Sequence, residues 1–134
     1  MAIHYIEDYK KLCKDVYNLL LPEGYFIFSI KHPMTSASKR GMIYETDRAG
    51  NKIGMLIEDY NKEGIRDVQW LGTNVVKYHR TISTLLNTLI QEGFVIEEIL
   101  EPVPSEASLK LDADLSRCYN VPDFLFIKAK KRGE

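Results

Sequence analysis

The chain has 134 residues with 18 basic and 19 acidic side chains, a formal charge of −1, and 45% hydrophobic residues. Such a composition suits one globular domain with its own core, and the balanced charge gives no electrostatic basis for binding nucleic acid or a membrane surface. Cys13 and Cys118 suggest neither a disulfide framework nor a zinc site, and no apolar run approaches the ~20 residues that span a bilayer. The N-terminal residues lack a basic and then apolar leader, so the expectation is a cytoplasmic chain.

Residues 3–21 place Ile6, Tyr9, Leu12, Cys13, Val16, Leu19 and Leu20 at steps of three and four, the apolar stripe of a helix. Glu7 and Asp8 come early and Lys10, Lys11 and Lys14 later, an order that suits the helix dipole. Pro22 and Gly24 then stop the helix and turn the chain. Residues 25–30, apolar at every position but one, predict a strand covered on both faces, as in a mostly parallel α/β sheet. Ligands in such sheets sit beyond the carboxyl ends of the strands, which singles out Ser29, Lys31 and His32 by position alone.

Residues 34–40 are small and polar and read as a mobile loop. Residues 42–45 and 52–57 flank Asp47 to Asn51 as a hairpin, and a second hairpin pairs 57–60 with 65–70 around Asn61 to Gly64. These short antiparallel elements make 34–76 a cap or insertion over the sheet's end. Ile82, Leu85, Leu86, Leu89 and Ile90 form the stripe of a second helix, which Gly93 stops. A strand over 94–100 closes at Glu101-Pro102. Residues 103–120, rich in Pro, Ser and Asp, form a long connection with room for a helical turn, and 123–130 make the last strand.

This order of elements resembles a known family. A helix, Leu20-x-Pro22-x-Gly24, a strand ending in His32-Pro33, an antiparallel insertion, Tyr78-His79-Arg80-Thr81, a helix, Gly93-Phe94, a strand, Glu101-Pro102 and a closing Pro122-x-Phe124-Leu125 strand are similar to the C-terminal half of a class I S-adenosylmethionine-dependent methyltransferase. Residues 3–8 look like the start of the helix after that family's fourth strand. The resemblance covers essentially the whole chain and implies one α/β domain over 1–134. Its sheet would be partial and Rossmann-like, with strands equivalent to the fifth, seventh and sixth, the last antiparallel and between the others. The family holds S-adenosylmethionine on a glycine-rich loop after its first strand. No two of the eight glycines here are separated by a single residue, so the cofactor is expected in the intact enzyme and not on this chain alone.

The resemblance implies methyl transfer to a small-molecule acceptor. It also implies either a missing N-terminal half or a homo-oligomer, because residues 25–30 would lose a pairing partner and leave an apolar edge. His32, after the buried strand, is a candidate general base; its plainer reading is a turn-fixing His-Pro exit. His79 and Arg80 at the second helix's entry could hold an acceptor, or could simply bond to backbone or to Glu101. Trp70 and Tyr78 could wall the acceptor pocket or merely pack. His4 and Tyr5 lie where the family's chain skirts the cofactor, although near a terminus. The histidines have no metal-ligand spacing, and none is expected to bind metal. Two other readings stay open: a catalytically silent remnant acting as an interaction or regulatory module, and an unrelated α/β module for small ligands.

Overall fold

In the computed structural model, which describes residues 2–133 apart from the side chains of Val68 and Trp70, the first helix starts later than its stripe predicts. Ile3–Tyr5 form a separate 3-10 turn, and α1 spans Tyr9–Leu19. The side chain of Asp8 accepts the Lys11 amide and so fixes the start, a capping role that outweighs the apolar residues upstream. The stripe itself runs through Tyr9, Leu12, Cys13, Val16 and Leu20. Leu19 is 83% exposed and does not belong to it.

After α1 the chain runs through β1 (Tyr25–Lys31), α2 (Pro33–Ser36), β2 (Ile43–Thr46), β3 (Lys52–Leu56), β4 (Gly64–Trp70) and β5 (Thr73–His79). It continues through α3 (Ile82–Gln91), β6 (Phe94–Leu100), α4 (Glu106–Leu111), a 3-10 segment Ala113–Tyr119, and β7 (Phe124–Lys131). The main sheet has the order β1-β7-β6, with β7 antiparallel to both neighbours. This is the mixed sheet, last strand in the middle, that the resemblance implies. β1 and β6 therefore run parallel to each other.

One face of this sheet makes the core. Ile30, Phe94, Leu125, Ile127 and Ala129 pack against Tyr9 and Cys13 of α1 and Leu85 and Leu89 of α3. The Tyr9 hydroxyl donates to the Leu85 carbonyl at 2.9 Å and ties the two helices together. Thr81 caps α3 through the Thr84 amide, and Gly93 ends it at φ 107°. A methyl group there would stand 3.0 Å from the Tyr17 ring, so the site needs glycine for both conformation and space.

The other face of the sheet is open within this chain, contrary to the two-sided burial that residues 25–30 suggest. Ile27 is 62% exposed, and Phe126 and Leu100 are exposed beside it. Together with Glu98 and Lys128 they border a shallow groove of about 200 Å³. Within the described residues β1 is thus covered on one face, and its apolar composition exceeds what that burial requires.

The insertion also departs from expectation. β2 and β3 pair as predicted, around a loop in which Asp47 accepts the Ala49 and Asn51 amides. The second hairpin does not pair 57–60 with 65–70; β4 pairs with β5, from Gly64 opposite His79 to Trp70 opposite Thr73. Its two-residue turn is Leu71 at φ 50° and Gly72 at φ 77°, the primed geometry that matches strand twist. A leucine in a position usually held by Asn or Asp hides the turn from a sequence reading. The predicted mobile loop at 34–40 contains α2 instead, and Pro33, Thr35, Ala37 and Ser38 are buried.

Candidate functional site

Two buried histidines organise the carboxyl end of β1. His32 leaves the strand with its side chain fully buried. Its Nδ1 accepts the Met34 amide at 3.1 Å, capping α2, for which Pro33 supplies the first residue. That bond places the proton on Nε2, which donates to Glu101 Oε2 at 2.5 Å. His79, at the end of β5, donates from Nε2 to the Tyr60 carbonyl at 2.8 Å and receives the Ser36 hydroxyl on Nδ1 at 2.7 Å. Burial holds the His79 imidazole below its ordinary pKa. α2 is therefore slung between His32, which caps it, and His79, which grips Ser36. In both rings the lone pair a general base would need is already engaged.

Arg80 turns away from β5 and donates to the Ile6 and Glu7 carbonyls at 2.5 and 2.9 Å. Its guanidinium also lies over the rings of Tyr9 and Tyr78, at 5.2 and 5.9 Å from their centres. Arg80 and Tyr78 border a shallow depression with Glu7 and Glu63, and Tyr78 and His79 also border a small space of about 30 Å³ with His4, Lys31 and Lys77. Trp70 stands at the far end of β4, and its side chain lies outside the described residues. His32 borders none of these spaces, so it shares no cavity with His79.

The larger cavity, about 280 Å³, opens beyond the carboxyl end of β1, where that strand meets the start of β7. His4 and Tyr5 of the 3-10 turn, Lys31 of β1, Lys77 of β5, and Arg117 and Asp123 border it. Arg117 is matched by Asp123 at 2.9 Å and Asp114 at 3.4 Å. Among the described residues, the Lys31 and Lys77 ammonium groups have no carboxylate within 4.0 Å. Burial, and then Lys77, pulls the Lys31 pKa down. His4 is only 6% exposed, and burial, then Lys77 and Lys31, push it down to about 4, so it is neutral at pH 7. His4 and Tyr5 are thus built into the fold despite their place near the terminus. Lys31 was identifiable as the polar end of an apolar strand; Lys77 was not, because the register of β5 was hidden.

The domain is a mixed α/β fold with a cavity beyond the carboxyl end of β1, the position at which ligands commonly sit in α/β sheets. A chain of known structure from Listeria monocytogenes, provisionally described as an S-adenosylmethionine-dependent methyltransferase, is 39% identical and superposes with a TM-score of 0.87 over 98% of this chain and 59% of its own length. An S-adenosylmethionine-dependent methyltransferase from Mesorhizobium loti gives the same TM-score at 37% identity, with the same coverage. An uncharacterized protein of Haemophilus influenzae is 32% identical over 130 residues, which are 97% of this chain and 51% of that protein. No family model matches. By fold and sequence the chain is a methyltransferase-fold domain, related to part of the S-adenosylmethionine-dependent methyltransferases. It spans about half the length of the curated relative and 59% of the solved structures.

The described residues do not fit that cofactor on their own. Its sulfonium is a cation, and the cavity is bordered by two unmatched ammonium groups. No two glycines are separated by a single residue, so the chain has no G-x-G loop to allow close backbone approach to the adenosyl group.

Proposed function

We propose that this chain is the acceptor-side portion of an S-adenosylmethionine-dependent methyltransferase that methylates a small molecule. The observation that supports this reading is the β1-β7-β6 sheet with a cavity beyond the carboxyl end of β1, in a chain that aligns with 59% of two such proteins. The cofactor cradle then lies in the portion of the fold that this chain does not cover. His32 and His79 act here as positioning residues that fix α2 beside the cavity, and Arg80 anchors the segment leading into α1. Positioning of this kind is most of what methyl transfer asks of the acceptor side.

Calorimetric titration of the chain with S-adenosylmethionine is expected to show no saturation below millimolar concentration. Fusion to the uncovered portion of the Listeria protein is expected to restore cofactor binding and methyl transfer. Micromolar binding by the chain alone overturns the division of labour, and a fusion that binds the cofactor but transfers no methyl group overturns the assigned activity.

The open sheet face is the docking surface for that same uncovered portion. β1 is an edge strand here, and Ile27, Leu100 and Phe126 make an apolar surface next to it. When the chain is alone, two copies cover each other's faces, and sedimentation equilibrium at micromolar concentration is expected to report a dimer. A monomer under these conditions counts against both the dimer and the docking surface. The alternative of a silent interaction module draws on the same apolar face, and loses support once the fusion transfers methyl groups.

A further inference from the structure

We propose that the cavity between the 3-10 turn, β1 and β5 binds the oxyanion of a small acidic acceptor, a carboxylate or phosphate held by Lys31 and Lys77 with His4 as a neutral donor. The inference rests on the acceptor-side reading above and adds the substrate class.

The two lysines come from different elements and reach the same space, which Asp123 also borders. Like charges brought together and partly buried cost free energy unless an anion joins them. Elsewhere in this region the chain supplies each guanidinium with its own acceptors: Arg117 has Asp123 and Asp114, Arg40 has Glu58, and Arg66 has backbone carbonyls. Lys31 and Lys77 alone among the cavity's cations have no such partner in the described residues. His4 gives an independent indication. Its ring is buried and borders the cavity, Nδ1 has no hydrogen-bond partner, and no described acceptor takes the ring N–H. The orphaned Nδ1 is closed off from the cavity, and Nε2, which is not among the fully buried unpartnered atoms, is the ring nitrogen left to meet a ligand. The Tyr5 ring lies against His4, with ring centres 4.3 Å apart and planes tilted by 52°, and supplies an apolar wall for the rest of a small molecule. A cavity of about 280 Å³ is at the small end of ligand pockets and admits a metabolite but not a chain.

The test is titration of the chain, followed by amide chemical shifts, with inorganic phosphate and separately with malonate at constant ionic strength. Saturable binding of at least one anion is expected, with the largest shifts at residues 4, 5, 31 and 77. Phosphate alone marks a phosphate ester as the acceptor, and malonate alone a carboxylic acid. Lys31→Met and Lys77→Met should each weaken binding at least tenfold, while Lys39→Met, an exposed lysine outside the cavity, should leave it unchanged. Lys77→Gln substitutes if the Met variant fails to fold. Absence of saturation by either anion, or equal weakening by Lys39→Met, overturns the inference. An active fusion enzyme without anion binding removes only this inference, and anion binding with an inactive fusion removes only the assigned activity.

Discussion

Replacing Arg66 with Met is expected to lower the stability of the chain by about 3 kcal/mol, a fall in Tm of roughly 10 °C for a domain of this size. Arg66 is 3% exposed, has no carboxylate partner, and spends its guanidinium on backbone carbonyls. Nε donates to Ala37 at 2.7 Å, Nη1 to Ile65 at 3.2 Å, and Nη2 to Asp59 at 3.0 Å and Lys62 at 2.6 Å. The residue joins the segment after α2 to the loop that precedes β4. Without it, the buried Ala37 carbonyl and three partly buried ones lose their donor, and the buried loss carries a desolvation cost on top of the bond. Arg66→Lys should recover little, because one ammonium cannot reach carbonyls spread around a planar fork. Urea unfolding of the three proteins decides the matter. Recovery of wild-type stability by Lys would show that charge, not the fork, is what the site requires.

Acidification from pH 7 to 5 is the second large effect. His4 has a folded pKa of about 4 against 6.5 in the unfolded chain, and His79 is lowered as well, in both cases first by burial. The unfolded chain therefore takes up these protons more readily than the folded one. Stability is complete above pH 6.5 and falls as the pH drops toward 4, by about 1.4 kcal/mol per pH unit for a histidine fully inside its window. The charged groups facing His4 are Lys77 and Lys31, and those facing His79 are Arg66 and Glu63, so the cations reinforce the direction. Glu23, Asp47, Glu58 and Asp59 have lowered pKa values, and their contribution is lost only as the pH falls below the ordinary carboxylate range. Urea midpoints at pH 7, 6 and 5 should decline steadily, and His4→Gln should flatten the slope. A level profile in the wild-type protein would contradict the burial of neutral imidazoles.

The main sheet and both long helices were legible because their signals are local and repeated. The stripe around Cys13, the stripe around Leu85 and Leu89, and the apolar runs at β1, β6 and β7 each announce one element. The insertion was less legible, since Leu71 occupies a turn position that carries no sequence mark and so hid β5. The site suffered from that loss. With β5 unseen, Lys77 could not be brought beside Lys31, and His79 was read as a helix entry instead of the end of a strand. His32 and Glu101 were both noticed, but as separate strand ends. Their pairing spans 69 residues and depends on β1 and β6 lying in parallel on either side of β7. Arg66 gave no signal, because an arginine that bonds only carbonyls has no partner residue to mark it.

The central place of β7 also sets the order in which the molecule can be made. β1 and β6 share no hydrogen bonds with each other, and every pairing in the main sheet has β7 on one side. During synthesis, β1 and β6 gain the neighbour they share only once residues 124–131 have left the ribosome. Before that, the contacts formed within residues 2–123 are mainly those of the helices and the two hairpins, which are near in sequence. The final strand must insert between two waiting ones, and its arrival converts separate local structures into one cooperative body. Translation pauses placed before residue 124 would prolong a state with two unpaired apolar strands, the condition under which chaperones and aggregation compete for the chain.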